Sequence, residues 1–481
     1  MFQPTKHFIT RKLFCLTAPH RQFKDMTFCL TDYDAYGFDL DHTLAKYKLT
    51  ELCRLAYEGA CEALIKTKGY DKKLKDDIAL HKDFICKGLF LDADKGNILK
   101  LSHDGKVLRA SHGTKMLTKD ELKKTYGADL HWEHFQEAKD NVKSSDGKLK
   151  YRFFENYFDI PSAVLCAHVV DYIDQKDGPQ EKYTFWQDVY ASLGHNYIPK
   201  AFAEETGYFF PSLKRNPEKF LQPCSDGVKQ WLLELKKQGK VVFLMTSSAH
   251  DFATTVLKVV LGSDWQQYFD IFLFNAKKPA FFTDGNSFLG LDGHFETTPV
   301  TELQAKTCYS MGNHPDLMKF ISQQTQRVKP KVVYFGDSLC SDSFPANNYA
   351  GWDVVLVLEE MEAEGYHLTP KDLECDDTAT VKNQKEMYDL FLQVNLYIDP
   401  EEESFLLSKG WGSFFYHEEE DVKHDKHMNT FWGRLISKYN AIAVPLIEYI
   451  AGMPIDHKYK RFSDGVGSTD GFSPAKPKPL L

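Results

Sequence analysis

Tyr36-Gly37-Phe38-Asp39-Leu40-Asp41-His42-Thr43-Leu44 is the stretch on which the fold turns. An apolar lead-in from Ala35 to Phe38 runs into two carboxylates on alternate residues, with Thr43 two positions further on. Side chains alternate between the faces of a strand, so Asp39 and Asp41 would leave its C-terminal end on the same side. In open α/β sheets that end is where ligands bind. Converging carboxylates there suit a divalent cation, because hard cations take oxygen ligands, and a carboxylate can also attack phosphorus. The same string also reads as a turn and helix cap, with Thr43 or Asp41 accepting a backbone N–H. The remaining strands separate the two readings.

Downstream, the apolar run Val241-Val242-Phe243-Leu244-Met245 has the character of a strand buried on both faces. It ends in Thr246-Ser247-Ser248, small hydroxyls placed to bind a phosphate oxygen or to cap the next helix. Phe269 to Phe274 reads as a further strand, and Asn275-Ala276-Lys277-Lys278-Pro279 follows it. A lysine just past a strand end can neutralise a phosphoryl group as a point charge. Lys331 to Phe335 is another buried strand, and it runs into Gly336-Asp337-Ser338-Leu339-Cys340-Ser341-Asp342. Asp353 to Leu358 adds one more strand. Strands alternating with helical patterns, such as Val228, Trp231, Leu232 and Leu235 closed by Gly239, predict a parallel sheet covered by helices.

Roughly two hundred residues separate Asp41 from Thr246, too many for a loop. Within them Leu52, Leu55, Ala56, Ala60, Ala63 and Leu64 predict a helix closed by Gly69. Phe90 to Leu101 predicts a hairpin, and His103-Asp104-Gly105-Lys106 a second turn. The string Asp92-Ala93-Asp94-Lys95-Gly96 begins like a calcium loop but lacks the downstream glutamate, so a turn is expected. Asp159 is expected to cap a helix with Pro161 in its first turn, and Phe185 to Leu193 is another helical candidate.

Hydrophobic residues at 43% and charged residues at 26% are ordinary for a globular protein with a sizeable core. The net charge of −9 argues against a nucleic-acid surface, and no apolar run is long enough to span a membrane. Ten scattered cysteines without a C-x-x-C pair point to reduced thiols in a cytoplasmic protein rather than a zinc site. The first 24 residues carry Lys6, Arg11, Lys12, Arg21 and Lys24 and no acid, so mitochondrial targeting is the competing reading of location.

Four strand ends thus carry paired aspartates, small hydroxyls, a lysine and a second aspartate pair. Their order resembles the haloacid-dehalogenase-like phosphohydrolases. The stretches Gly37 to Leu44, Asn275 to Pro279, Tyr334-Phe335-Gly336-Asp337-Ser338 and Trp411-Gly412-Ser413-Phe414-Phe415 resemble more closely the purine-type cytosolic 5′-nucleotidases and their domain-containing relatives. So do Arg109 to Lys115 and Tyr157-Phe158-Asp159-Ile160-Pro161, and the resemblance runs from about Tyr36 to Phe462.

The resemblance implies an α/β fold, a Rossmann-like parallel sheet core with a large inserted cap. The expected division is a leader over 1–30, a core from 31–58 and 222–365, a cap over 59–221, a linker and docking segment over 366–462, and a disordered tail over 463–481. The docking segment is expected to include a helical stretch from Phe431 to Ile450. The resemblance also implies roles. Asp39 would be nucleophile and Mg2+ ligand, and Asp41 the acid that protonates the leaving oxygen, with its carbonyl on the metal. Thr246 and Ser247 would hold a phosphoryl oxygen, and Lys278 would offset charge. Asp337 would complete the Mg2+ shell with Asp342 in support. Phe158 matches an aromatic expected to stack on a base, though core packing is the plainer reading. One departure concerns the cap: where those nucleotidases carry a D-V-R-D-A-V-D-like run, this chain has Asp188-Val189-Tyr190-Ala191-Ser192-Leu193-Gly194, so Tyr190 replaces an arginine that grips the nucleotide.

The expected function is therefore Mg2+-dependent hydrolysis of a phosphomonoester through an aspartyl-phosphate, with a 5′-nucleotide as leading substrate. No nucleic-acid or membrane partner is expected, and a homo-oligomer is compatible with the sequence. Rival readings are phosphotransfer to a nucleoside and a weakly catalytic scaffold for binding.

Overall fold

The stretch Ala35-Tyr36-Gly37-Phe38 forms β1 (Ala35–Phe38), buried at every position. Gly37 is required by its neighbours: a Cβ there would lie 2.3 Å from the Phe243 ring and 2.7 Å from that of Tyr334. The computed structural model describes residues 27–75, 78–140, 150–364, 406, 408–415, 417 and 430–462. The basic leader, the linker expected from Gly365 to Glu403, the charged run Glu418 to His427 and the tail from Ser463 lie outside the described residues.

After β1 the chain enters α1 (Leu49–Lys68), which ends where expected, at Gly69 with φ of 75°. The core–cap boundary expected between residues 58 and 59 falls inside this continuous helix. An antiparallel sheet follows, built from β2 (Leu89–Asp92), β3 (Asn97–Leu101), β4 (Val107–His112), β5 (Lys115–Met116) and β6 (Tyr151–Phe154), in the order β5-β4-β3-β2-β6. The β2–β3 hairpin closes on Asp92 opposite Asn97, so the calcium-like string is a turn. Helices α2 (Pro161–Asp177) and α3 (Trp186–Gly194) then pack on α1. Asp159 does not cap α2: no side chain caps that helix, and Arg152 Nε holds the Asp159 carboxylate at 2.7 Å. A guanidinium partner offers a charge-assisted bond that outcompetes a single backbone N–H.

The chain returns to the first sheet with α4 (Asp226–Lys237), capped by Ser225, and β7 (Val241–Met245), then α5 (His250–Val260) and β8 (Ile271–Phe274). An antiparallel flange follows, β9 (Phe288–Asp292) and β10 (Phe295–Pro299), before β11 (Cys308–Met311), α6 (His314–Thr325), β12 (Val332–Gly336) and β13 (Asp353–Val357). The helical stretch expected over Phe431 to Ile450 is broken. Within it α7 (Phe431–Tyr439) ends as Asn440 turns extended, β14 (Ile442–Val444) joins the sheet parallel to β13, and a short helical turn resumes at Glu448–Ala451. β-branched Ile442 and Val444 favour a pleated surface, and the open edge of β13 supplies it.

The resulting nine-stranded sheet has the order β10-β9-β11-β8-β7-β1-β12-β13-β14. All pairings from β11 to β14 are parallel, and β1 lies between β7 and β12. The fold is therefore α/β, a Rossmann-like sheet with the antiparallel sheet and its helices inserted between β1 and β7. No helix among the described residues is long and apolar enough to cross a membrane. The described cysteines are free thiols.

Candidate active site

Because β1, β7, β8 and β12 run parallel side by side, their C-terminal ends meet along one edge. Each end delivers one of the motifs. Asp39 follows β1 and is fixed by its N–H on Phe335 O at 2.9 Å. Thr246 follows β7 and is fixed by its N–H on Leu273 O at 2.9 Å. Lys278 follows β8, and Asp337 follows β12. Asp342 comes from the single π-helical turn after β12, Leu339–Ser343. Gly336 lets that turn fold back, since a Cβ there would sit 2.5 Å from Asp342.

Lys278 is the hub. Its buried Nζ lies 2.8 Å from Asp39 Oδ1, 2.5 Å from Asp342 Oδ1 and 2.9 Å from the Tyr334 hydroxyl. Two of its donors go to Asp342 Oδ1 and the Tyr334 hydroxyl, and Asp39 is held beside them as an ion pair. Tyr334 in turn donates to Met245 O at 3.0 Å. Burial works against the Lys278 charge, but Asp342 and Asp39 outweigh it and hold its pKa above the ordinary range. Asp39, Asp337 and Asp342 each present a carboxylate oxygen within 4.8 Å of the others. Burial pushes Asp39 up to about 7 against the pull of Lys278, with Asp342 and Asp41 adding to the rise. Burial likewise raises Asp337 well above its ordinary value, with Lys87 opposing and Asp342 and Asp39 reinforcing. The buried carboxylates of Asp39, Asp337 and Asp342, with Glu360 beside Lys87, outnumber the ammonium groups of Lys278 and Lys87, and a hard cation answers that deficit.

Asp41 is held apart from this cluster. Its Oδ1 accepts from the Tyr47 hydroxyl at 2.7 Å and its Oδ2 from Ser248 Oγ at 2.6 Å. Burial, reinforced by Asp41, keeps Tyr47 protonated and so a donor. Thr246 Oγ1 accepts from the Ser248 N–H at 3.1 Å, and Ser247 Oγ accepts from the Lys278 N–H at 3.0 Å. Both serines therefore tie the β7 end to its neighbours rather than standing alone.

A cavity of about 390 Å3 opens over this edge. Asp39, Asp41, Thr246, Ser247, Lys278 and Asp337 form its polar side. The opposite wall is aromatic: Phe158, Tyr197, Phe202, Phe209, Phe210 and Phe252. Asp342 is fully buried behind the cavity. Phe158 is only partly buried and meets His42 edge-on with ring centroids 5.1 Å apart. Tyr190 does not reach the cavity. It packs on Trp186 at 5.5 Å, with the Arg152 guanidinium 5.8 Å from its ring. It therefore cannot stand in for a ligand-gripping arginine.

Sequence reasoning missed Tyr47, Tyr334, Lys87 and Glu155, all of which touch the motif residues or the loop that carries them. Only Tyr47 carried a local signal, being six residues beyond Asp41.

A sequence model of the 5′ nucleotidase family matches residues 23–442. The chain is 40% identical over 456 residues to the Homo sapiens protein named 5′-nucleotidase domain-containing protein 1, covering 94% of this chain and 96% of that one. The Bos taurus protein of the same name is also 40% identical, over 455 residues, with the same coverage of both chains. Homo sapiens 5′-nucleotidase domain-containing protein 2 is 27% identical over 340 residues, 70% of this chain and 62% of that one. With a family model spanning most of its length and relatives matched nearly end to end, the chain belongs to the 5′-nucleotidase family.

Proposed function

We propose that the chain hydrolyses phosphomonoesters, with 5′-nucleotides as its leading substrates, in a magnesium-dependent reaction through an aspartyl-phosphate on Asp39. The observation that carries this is the Lys278 ammonium bridging Asp39 and Asp342 at the edge of the cavity. Membership of a family named for nucleotide hydrolysis supports the substrate class.

The donor set fits magnesium: carboxylate oxygens from Asp39, Asp337 and Asp342 within 4.8 Å of one another, in a buried site with too little positive charge. Those three residues would hold the ion. When bound, it supplies neutralisation of charge on the phosphoryl oxygens.

The chain's own groups do the rest. Asp39 attacks phosphorus, forming a P–O bond to its carboxylate while the bond to the ester oxygen breaks. Asp41, oriented by Tyr47 and Ser248, delivers a proton to the departing oxygen. It then takes a proton from the water that attacks phosphorus, so that phosphate leaves and the Asp39 carboxylate is regenerated. Thr246 and Ser247 meet phosphoryl oxygens, and Lys278 keeps Asp39 in line while balancing charge. The aromatic wall receives the leaving group and excludes water.

Phosphate release measured over a panel of 5′-nucleotides and other phosphomonoesters, with and without a magnesium chelator, tests this. Chelator-sensitive release from nucleotides is expected. A purified, folded chain that releases no phosphate from any of them would overturn it.

A further inference from the structure

Two charged side chains reach the acidic loop after β12 from the inserted sheet, and the reaction above uses neither. They arise side by side. Strands β2 and β6 pair antiparallel with Leu89 opposite Phe154, and the Gly88 N–H donates to Phe154 O at 2.7 Å. Lys87 and Glu155 therefore emerge from the same end of the inserted sheet, facing the end of β12.

Glu155 is buried, and its carboxylate accepts twice from the loop: from Ser338 Oγ at 2.8 Å and from the Leu339 N–H at 2.9 Å. The same loop residue ties Asp342 down, since the Ser338 N–H donates to Asp342 Oδ2 at 3.1 Å. Ser338 Oγ also accepts from the Ser341 N–H at 3.0 Å. On the other side, Lys87 Nζ lies 3.9 Å from Asp337 Oδ2, 3.5 Å from Glu360 Oε1 and 4.5 Å from the centre of the Tyr157 ring. Lys87 is only 2% exposed. Ionised groups are not left this deep without a structural reason, because each loses its hydration.

We propose that Glu155 is a positioning residue for the cation site: lent by the inserted sheet, it fixes the loop that sets Asp337 and Asp342, while Lys87 steadies Asp337 from the other side. This rests on the proposal that Asp39, Asp337 and Asp342 hold magnesium. It adds that the site is incomplete in the parallel sheet alone, so seating of the insertion and binding of the ion are linked. Groups that orient metal ligands without touching the ion are known to matter at this level, with losses of about 10–100-fold on substitution.

The test is magnesium titration of the full chain, read by calorimetry and by the rise in thermal midpoint rather than by turnover. In Glu155→Gln the amide nitrogen faces one of the two donors, so one hydrogen bond is lost while size is kept. The expected result is a magnesium dissociation constant raised about tenfold in Glu155→Gln. Lys87→Met should raise it in the same direction, and Lys87→Arg, which keeps the charge, should recover part of the loss. A role confined to packing would lower the midpoint without magnesium and leave the dissociation constant unchanged. That outcome overturns the inference and leaves the function standing. A wild-type chain that does not respond to magnesium removes both.

Discussion

Lys278 Nζ stands 2.8 Å from Asp39 Oδ1, although the whole antiparallel insertion separates the two residues in sequence. The pair exists only because β8 and β1 flank β7 in one parallel sheet. Lys278→Met should therefore do more than slow the reaction. It strands buried Asp39 and Asp342, and removing one partner of a buried pair costs about 3–5 kcal/mol. Denaturant unfolding without magnesium should show that loss, and adding magnesium should restore part of it.

Tyr47 donates to Asp41 from six residues further along, leaving Ser248 as the other donor to that carboxylate. In Tyr47→Phe the acid loses one of its two orienting bonds and keeps its packing. Turnover should fall roughly tenfold with KM little changed, and Asp41→Asn should fall by about 10²–10⁴, the usual worth of acid–base catalysis. Steady-state kinetics on both variants decides this. A larger change in KM than in kcat for Tyr47→Phe would assign the tyrosine to binding instead.

Phe158 and Tyr190 make opposite predictions. Phe158 lines the cavity, and Tyr190 lies against Trp186 outside it. Phe158→Ala should raise KM for nucleotides roughly tenfold, as loss of one aromatic stacking contact of about 1–3 kcal/mol would do. Tyr190→Ala should leave KM unchanged. Kinetics on a nucleotide and on a small phosphomonoester without a planar group will show whether the effect follows the base.

A pH effect is expected away from the active site. Burial, with Lys100, Arg109 and Lys119 nearby, pushes the His417 pKa down to about 3. An unfolded histidine titrates near 6.5. Below about 6.5 the unfolded chain therefore takes up a proton that the folded chain refuses, and stability is lost as pH falls. Denaturant unfolding of wild type and His417→Gln between pH 7 and 5 measures it. The stability of wild type relative to the variant should shrink by up to about 1.4 kcal/mol per pH unit. A difference that stays flat would show that His417 takes up its proton equally in the folded and unfolded chain.

What could be read from the chain beforehand follows from where the signals lie. A buried parallel strand writes itself as a short apolar run, and Val241–Met245 and Val332–Gly336 do so with a polar group directly after. The motifs at Asp39, Thr246, Lys278 and Asp337 were therefore visible as strand ends. Strands β9 and β10 were not, because they form a half-exposed antiparallel flange interrupted by Gly290 and Gly293, without a continuous apolar run. Ile442–Val444 was concealed by the amphipathic helix before it, and only the free edge of β13 makes it a strand. Glu155 and Lys87 had no local signature, since their meaning lies in contacts across the insertion. Tyr190 was misplaced because a matched run of residues gives the helix but not the direction in which its face points.

The central claim is that Asp39 carries the phosphoryl group. Wild type should be mixed with substrate and magnesium, quenched in acid during turnover, and its peptides examined by mass spectrometry. The account predicts phosphate on the peptide containing Asp39, and neither that adduct nor measurable turnover in folded Asp39→Asn. Phosphate release by Asp39→Asn at the wild-type rate would contradict it.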